Sequence, residues 1–497
     1  MADKSELQHL PDFNGSLAVA KEVRSSLIAR GRSDASTLLA RRTEPVYLAR
    51  VKAKGKWGLI DRDGTFVCEP IYQELHGFYE GIAAFADTNV GSTSWQGLYD
   101  RNGADWNGLL FAPERSNRIL GLGSWGYIDS TGRPIATDRF ELVRNFSEGL
   151  AGVRLNGKWG FVNSNGALVI EPRFDGVRDF RNGLCVVMFG ARCGLIDTGG
   201  RFVIEPRFYY LREHLEGLAC AAVDRGSYGY IDSSGSYTIK PQFSHATDFH
   251  CGLAAASIEG QRGYINTQGN FIYSYLESPD FGRALGRFCD GVAFVMTMRR
   301  PKPGTDTEYE PGDSAFLNVN GRSILEGRDH LLIPCRPFSD GLGLVKLRPA
   351  ENRDEAHKDQ YGFVDTNGTM AIFPQFLKAC PFSNGRAAVL VDGLGRRLID
   401  AGGNIVGDRL PGKGDYSDLV IFSEGYARLW ADGKAGFIDL NGRVSVEPRF
   451  TYAQQFRNGF ALVGTQGGSG YEYIDTAGIV GIPCLFEQAE AFEQVVS

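Results

Sequence analysis

The chain has 497 residues, of which 43% are hydrophobic and 23% are charged, and its formal net charge is −6 at pH 7. A hydrophobic content of this size is ordinary for a folded soluble protein. The small net charge argues against general nucleic-acid binding through a basic surface. No run of about 18 apolar residues occurs, so the sequence predicts no membrane span.

The first 45 residues differ in pattern from the rest of the chain. Between Leu17 and Ile28 the apolar residues fall near helical spacing, and Gly31 follows as a stop signal. We therefore predict a short helical N-terminal cap at residues 1–45, covering the exposed edge of the first sheet. The alternative is a docking segment for an acidic partner, because the stretch is rich in arginine and lysine.

The cysteines and the N-terminus indicate where the protein resides. The nine cysteines are an odd number without any Cys-x-x-Cys spacing, which is typical of free thiols in a reducing compartment. The first residues lack the apolar core of a signal peptide. The sequence thus predicts a cytoplasmic protein.

A repeated unit begins after residue 45, and residues 158–182 show it most clearly. Asn156-Gly157 separates two apolar runs and predicts a two-residue type I′ hairpin. A second turn, Asn163 to Gly166, leads into a third short strand, and Pro172 is expected to end that strand because proline lacks an amide for the ladder. The unit is predicted to be a three-stranded meander, joined to the next by a linker of about ten residues.

The second turn is the most regular feature of the chain. Asp or Asn stands three residues before Gly, directly after an apolar pair, and from Gly132 to Gly269 the steps are close to 34 residues, which indicates a repeat architecture. Metal binding would need a charge at this position, whereas a turn acceptor needs only an oxygen; Asn replaces Asp in three copies, which favours the turn. The twelve pairs are Asp61/Gly64, Asp100/Gly103, Asp129/Gly132, Asn163/Gly166, Asp197/Gly200, Asp232/Gly235, Asn266/Gly269, Asn318/Gly321, Asp365/Gly368, Asp400/Gly403, Asp439/Gly442 and Asp475/Gly478.

A second landmark has the form Phe-x-x-Gly-apolar-Ala, as at Phe146, Gly149 and Ala151. A phenylalanine at a fixed position of every unit is most simply a core residue between neighbouring units. Such units must stack, because one three-stranded sheet cannot bury both of its faces alone.

The period divides the chain after the N-terminal segment. Residues 46–298 form the first run of repeats, although its second unit, around Trp95–Gly103, lacks the phenylalanine landmark. Residues 299–360 form an irregular repeat with long polar loops, and residues 361–497 resume the repeats and end in a tail that is expected to cap the array. Polar insertions at residues 299–313, 348–360 and 410–418 are candidate binding loops, because loops of this length carry function more often than short ones.

The predicted fold is an all-β repeat protein of about twelve three-stranded β-meander units. Two global forms are compatible with it: an open curved array, or closure into propeller-like rings, which would need units of equal size. The unequal steps between turns favour the open array.

Few residues suggest chemistry. His245, Asp248, His250 and Cys251 lie close in sequence and could form a metal site, but in register they occupy a linker between units. Glu-Pro-Arg-Phe copies place three arginines at equivalent positions, where they either line an edge that binds acidic groups or pair with the glutamate two residues before; they are Arg173, Arg207 and Arg449. No nucleophile elbow, P-loop or zinc motif occurs, so we predict no catalytic, cofactor or metal residues and no enzyme.

The run Lys56–Gly64, with Glu69–Tyr72 and Phe78–Ala83, resembles the WG-repeat family of bacterial proteins. The Trp-Gly pair recurs at Trp125 and Trp159, and other units keep the glycine and replace the tryptophan. The resemblance implies a β-rich binding or scaffolding array and supplies no catalytic residues.

Three functions follow as hypotheses. The first is a non-enzymatic scaffold that recognises a protein partner through its repeat surface and inserted loops. The second is a toxin-neutralising immunity or inhibitor protein. The third is a glycan or cell-envelope binding module that uses tryptophan and tyrosine at the start of each unit.

Overall fold

The structure is a computed structural model in which a compact unit spans Tyr47–Ser497. It describes residues 45–87, 124–135, 140–276, 281–289, 291–299, 310–325, 332–347, 360–411, 420–464 and 470–495. The predicted helical cap at residues 1–45 lies outside the described residues except for Pro45. All elements within the described ranges are strands, and this part holds no helix long and apolar enough to span a membrane.

The strands form eleven antiparallel sheets, numbered here in chain order. Sheets 1 to 4 consist of β1 (Val46–Ala53), β2 (Lys56–Ile60) and β3 (Phe66–Tyr72); β4 (Glu74–Tyr79), β5 (Ile82–Ala86) and β6 (Trp125–Asp129); β7 (Leu142–Val143), β8 (Leu150–Leu155), β9 (Lys158–Asn163) and β10 (Leu168–Phe174); and β11 (Gly176–Val177), β12 (Leu184–Phe189), β13 (Arg192–Asp197) and β14 (Phe202–Phe208).

Sheets 5 to 8 consist of β15 (Tyr210–Leu211), β16 (Ala219–Ala222), β17 (Tyr228–Ile231) and β18 (Tyr237–Phe243); β19 (His245–Ala246), β20 (Leu253–Ile258), β21 (Gln261–Asn266) and β22 (Phe271–Leu276); β23 (Phe281–Cys289), β24 (Val292–Arg299) and β25 (Glu310–Asn318); and β26 (Leu332–Pro334), β27 (Leu342–Leu347), β28 (Tyr361–Asp365) and β29 (Met370–Phe376).

Sheets 9 to 11 consist of β30 (Lys378–Ala379), β31 (Ala387–Val391), β32 (Gly395–Ile399) and β33 (Ile405–Val406); β34 (Phe422–Ser423), β35 (Tyr426–Ala431), β36 (Lys434–Asp439) and β37 (Val444–Phe450); and β38 (Tyr452–Ala453), β39 (Ala461–Gly464), β40 (Tyr471–Ile474) and β41 (Val480–Phe486). The last strands, β42 (Gln488–Ala489) and β43 (Glu493–Val495), both pair with β1 and so belong to sheet 1.

The hydrophobic core lies between sheets rather than within them. Eleven clusters of buried side chains each join two neighbouring sheets, and the last of them joins sheet 11 to sheet 1. Landmark phenylalanines lie in these clusters; Phe180, for example, is fully buried and contacts the ring of Phe161 in the preceding sheet, with centroids 4.9 Å apart. The sheets are therefore the blades of one β-propeller ring.

The C-terminal tail closes this ring. Ala489 pairs with Val51 and Gln488 pairs with Lys52, so sheet 1 receives strands from both ends of the chain. Arg50 adds a charged contact, because its guanidinium pairs with Glu490. The predicted open array is wrong and its alternative, closure into a propeller, is what the structure shows. The unequal steps misled because insertions lengthen the chain without changing the spacing of the sheets.

The prediction of about twelve units is also corrected, because sheet 2 takes the place of two of them. Strand β5 pairs directly with β6, with Ala86 opposite Trp125. Residues 88–123, which include the predicted unit around Trp95–Gly103 and its turn Asp100/Gly103, lie between these strands and outside the described residues.

Most sheets have four strands rather than the predicted three. In eight of the eleven, the linker after the third long strand contributes a two- or three-residue first strand to the next sheet, as Gly176–Val177 does in sheet 4. Pro172 does not end its strand as predicted. The register of β10 against β9 shifts between Ile170 and Phe174, so the proline lies in a bulge, where no ladder amide is needed.

The bulge explains the glycine of the Trp-Gly pair. A Cβ atom built on Gly160 would lie 2.3 Å from the carbonyl oxygen of Ile170 and 2.8 Å from the nitrogen of Pro172. Comparable approaches of 2.3 to 2.6 Å to a third-strand oxygen occur at Gly58, Gly160, Gly194, Gly229, Gly362 and Gly436. The tryptophan position, by contrast, is filled by Cys193, Tyr228 or Ala435 without loss of the strand pairing.

We expect Gly160→Ala to lower the free energy of unfolding by about 1–3 kcal/mol, because the added methyl group must push two backbone strands apart. The neighbouring Trp159→Tyr should cost less than about 1.5 kcal/mol, since it keeps an aromatic ring in the same cluster. Urea unfolding of the two variants beside the parent chain measures both. Equal losses would show that the close approach is not what requires the glycine.

Candidate interaction surface

The two ends of every sheet differ. One end carries the Asx-to-Gly turns together with the Phe-x-x-Gly turns, because the first long strand of a sheet begins after the Phe-x-x-Gly turn and the third begins after the Asx turn; we call this end of the ring the turn face. The opposite end, here the hairpin end, carries the short links between the first and second long strands, such as Asn156-Gly157. Both residues of that link have positive φ, 53° and 76°, as a type I′ hairpin requires.

The Asx turns all use the same hydrogen bonds. In sheet 3, Oδ1 of Asn163 accepts from the amides of Asn165 and Ala167, each at 3.0 Å, and the amide of Gly166 donates to the Asn163 carbonyl at 2.8 Å. The equivalent bonds form at Asp61, Asp129, Asp197, Asp232, Asn266, Asn318, Asp365, Asp400, Asp439 and Asp475, with Gly64, Gly132, Gly200 and Gly235 at the fourth positions of the first four.

Asn and Asp therefore have the same role in these turns, because the side-chain oxygen of either residue accepts the backbone hydrogen bonds. At Asp232 the donors also stabilise the charged form: the Ser234 hydroxyl and the Ser236 amide hold the pKa of this carboxyl below its ordinary value.

A second set of carboxylates, not foreseen from the sequence, joins neighbouring sheets. The Glu148 carboxylate accepts from the amides of Asn182 and Gly183 in the next sheet, at 2.5 and 2.8 Å. Glu80 binds the amides of Glu148 and Gly149 in the same way. Glu216 and Glu424 repeat the contact on the turns that contain Cys251 and Asn458. The signal in the sequence was an acidic residue directly before the landmark glycine.

Ion pairs run beside these contacts across sheets 3 to 6. Arg144 Nε lies 2.7 Å from Asp179, and Arg212 Nη1 lies 2.7 Å from Asp248, each pair joining one sheet to the next. Between them, Glu213 is 3.6 Å from Arg178 and 3.1 Å from Arg181. Arg178 is only 8% exposed, whereas the Arg181 side chain is 57% exposed. The turn face therefore offers fixed, alternating charges.

The three arginines of the Glu-Pro-Arg-Phe copies bond to the next sheet instead of pairing with the glutamate two residues before them. Arg207 donates to the carbonyl of Gly235 at 2.7 Å and Arg449 to that of Gly478 at 2.6 Å, each in the Asx turn of the next sheet; Arg173 donates likewise to Gly200. Each guanidinium also lies over the ring of the phenylalanine that follows it. They fasten sheets together, and among the described residues no ion pair joins Arg173 to Glu171.

His245, Asp248, His250 and Cys251, which the sequence places close together in a linker, do not form a metal site in the described residues. Asp248 is committed to Arg212, and the amide of Cys251 is bound by Glu216. Within the described ranges, no three potential ligands come together. The described cysteines are free thiols, and burial raises the pKa of Cys193 to about 11 and raises that of Cys185 and Cys220 still further.

The candidate binding loops and aromatic positions fall as follows. Of the three candidate binding loops, residues 300–309, 348–359 and 412–418 are outside the described part. The first loop connects β24 to β25 and the second connects β27 to β28, so both join strands at the hairpin end. Trp125, one of the residues proposed to bind glycans, is buried between sheets 2 and 3. Trp57 and Trp159 are partly buried against the clusters of their own sheets.

His76 lies on β4, with its ring centroid 5.4 Å from that of Trp125. Burial, followed by the nearby charge of Arg50, lowers its pKa to about 4. Because the unfolded chain binds this proton near pH 6.5 and the folded chain does so only near pH 4, stability is lost as the pH falls through that window.

We expect the free energy of unfolding to fall by up to about 3 kcal/mol as the pH is lowered from 6.5 to 4, because the unfolded chain protonates His76 more readily than the folded chain does. In His76→Gln the unfolding free energy should fall less steeply over the same window. Urea titrations at several pH values give the two slopes. Parallel slopes would mean that folding does not change the pKa of His76.

His214 occupies the landmark phenylalanine position of sheet 5. Its Nε2 donates to the Asp232 carbonyl at 2.8 Å, but its Nδ1 is buried and has no partner in the described part of the chain. The Asp232 carbonyl also accepts from Gly235, so the histidine bond is not its only one.

His214→Phe should raise the free energy of unfolding by about 1 kcal/mol, since it removes a buried polar atom without a partner and restores the apolar contact found in other sheets. His214→Ala should lower it, because it leaves a gap. Thermal or urea unfolding distinguishes these outcomes, and a loss of stability in the phenylalanine variant would contradict the argument.

Comparison with known proteins places these features in a family. The sequence profile described as "WG containing repeat" matches residues 57–86, 125–159, 159–193, 194–224, 228–261, 361–394 and 436–467. No curated protein matches the sequence significantly.

Three solved structures show a distant likeness. They are a eukaryotic initiation factor (12% identity, TM-score 0.30, 69% of this chain and 96% of that one), BamB from Moraxella catarrhalis (10%, 0.25, 87% and 94%) and virginiamycin B lyase from Staphylococcus aureus (16%, 0.23, 38% and 76%). Likeness at these TM-scores carries no argument about partners or activity.

Proposed function

We propose that this chain, which belongs to the WG containing repeat family, is a non-enzymatic scaffold that binds a protein partner on its turn face. The observation that carries the proposal is the construction of that face. Carboxylates from one sheet hold the turn amides of the next, and arginine–carboxylate pairs run alongside them from sheet 3 to sheet 6.

This construction favours binding for an energetic reason. Association costs conformational entropy when loops and side chains must be ordered, and that cost is small where they are already fixed. The Asx turns of this face are fixed by hydrogen bonds within each sheet, and four of the Phe-x-x-Gly turns are fixed by glutamates of the preceding sheet. A fixed array of charges also confers specificity, because a wrong partner meets like charges.

The free thiols support a place for the scaffold in a reducing compartment. The seven cysteines whose side chains are described are all unpaired, and one of them, Cys251, is exposed on the turn face. Since an exposed thiol persists best where disulfides do not form, we assign the protein to the cytoplasm as part of the proposal.

The test compares charge reversals on the two ends of the ring. Two full-length variants, Arg181→Glu and Arg457→Glu, each change an arginine that is exposed at the turn face. Each variant should lose at least about tenfold in affinity for the partner. Lys54→Glu, an exposed change of the same charge at the hairpin end, should keep it. Proteins captured from native lysate by the parent chain are identified, and the affinity of each variant for them is then measured.

The result that would overturn the proposal is a partner that is lost with Lys54→Glu and kept with the turn-face variants. Capture of no protein at all by the parent chain would overturn it too. Circular dichroism of each variant ensures that a lost partner does not reflect a lost fold.

A further inference from the structure

Several Phe-x-x-Gly turns of this ring are carboxylate receptors. In the described turns, a residue at positive φ precedes a glycine at positive φ, so their two amides point the same way. Four such turns hold a glutamate from the preceding sheet, with N–O distances of 2.5 to 2.9 Å; the glutamates are Glu80, Glu148, Glu216 and Glu424.

The turn of sheet 5 has the same backbone without such a glutamate. Glu216 and Gly217 have φ angles of 53° and 82°, close to the 55° and 76° of Glu148 and Gly149, which do hold one. The residue of sheet 4 equivalent to those glutamates is Asn182. In the described part of the chain, the amides of Glu216 and Gly217 donate to no protein atom, and both residues are exposed.

The surroundings of this turn suit an anion. A Cβ atom built on Gly217 meets nothing within 4 Å, as at Gly149, Gly183 and Gly252, so this turn is as uncrowded as the turns that hold a carboxylate. The Glu216 carboxylate does not compete for them, because it is bound to the amides of Cys251 and Gly252 at 2.7 Å. The neighbouring Arg181, next to Asn182 in sequence, is the most exposed cation of the ion pairs between sheets 3 and 6.

A similar turn in sheet 10 is less open. Asn384 precedes it in sheet 9, but a Cβ atom on Gly425 would lie 3.7 Å from the Leu440 side chain. We call Glu80, Glu148, Glu216 and Glu424, each of which binds a turn of the next sheet, the clamp glutamates. The two sites share asparagine in place of a clamp glutamate, and they differ in whether a Cβ atom on the turn glycine would contact a side chain.

We propose that the Glu216–Gly217 turn binds a carboxylate group of the protein partner, in the position that a glutamate of the preceding sheet fills at the turns of sheets 3, 4, 6 and 11. This inference rests on the proposed function and names the chemistry of one contact within it. The carboxylate is supplied either by an acidic side chain or by a chain terminus, which share the same recognition. The two amides donate to its two oxygens, and Arg181 supplies the nearby positive charge.

The experiment observes the glycine amides of the full chain directly. Protein labelled with nitrogen-15 at glycine is titrated with acetyl-Ala-Glu-Ala-amide, which carries only a side-chain carboxylate, and with acetyl-Ala-Ala-Ala, which carries only a terminal one; acetyl-Ala-Gln-Ala-amide is the neutral control. The Gly217 signal, assigned from its loss in Gly217→Ala, should shift and saturate at about millimolar peptide.

The chain supplies its own controls. Gly183 and Gly252 lie in turns already held by Glu148 and Glu216, so their signals should move far less than that of Gly217. Asn182→Glu should place an internal carboxylate on the turn and reduce the peptide-induced shift at least about tenfold, whereas Asn182→Gln should leave the shift intact. The peptide that saturates at the lower concentration identifies the source of the carboxylate.

Two results would overturn the inference: a Gly217 shift no larger than those of Gly183 and Gly252, or an equal shift in Asn182→Glu. Neither touches the scaffold proposal, since a partner lost with Arg181→Glu could use the turn face without placing a carboxylate here. Conversely, peptide binding at Gly217 remains measurable if no partner is captured from lysate.

Discussion

The whole structure depends on the fact that a small antiparallel sheet has two faces to bury and cannot bury either by itself. Each sheet solves this by packing both faces against neighbours, and the eleven clusters of buried side chains lie between sheets. A row of sheets would still leave two faces in water, one at each end. Pairing of Gln488–Ala489 with β1 removes both, because the cluster containing Val51 and Phe486 then joins sheet 11 to sheet 1.

Packing of this kind demands that strands and sheets approach closely at fixed points, and these points explain which residues recur. The glycine of the Trp-Gly pair faces a carbonyl oxygen of the bulged third strand, where a Cβ atom has no room. The residue before it contributes only to a cluster, so tryptophan, tyrosine, cysteine or alanine can stand there. The glycine that ends the Asx turn meets both constraints: at Gly200, φ is +79° and a Cβ atom would lie 2.9 Å from the Ile170 side chain of the preceding sheet.

The local part of this architecture could be predicted from the sequence. Turn chemistry depends on a few adjacent residues, so the hairpin at Asn156-Gly157 and the all-β repeat could be recognised without a structure. Ring closure could not, because it depends on strand pairing between residues at opposite ends of the chain, such as Lys52 and Gln488. The clamp glutamates were missed for a similar reason: each binds a turn in the following sheet, and nothing in its own unit shows what it binds.

The unequal steps between turns arise from insertions at one end of the ring. The long segments between β5 and β6, between β24 and β25, and between β27 and β28 all replace links at the hairpin end, where a strand pair tolerates a longer connection at a small cost in loop entropy. The turn face cannot accept insertions so freely, since its turns are held by carboxylates and guanidinium groups of neighbouring sheets. Chain length therefore varies at one end of the ring while geometry is kept at the other. A partner can recognise a surface of fixed geometry through its backbone amides as well as its side chains. Asparagine in place of one glutamate is enough to leave the two amides of a turn available for such a contact.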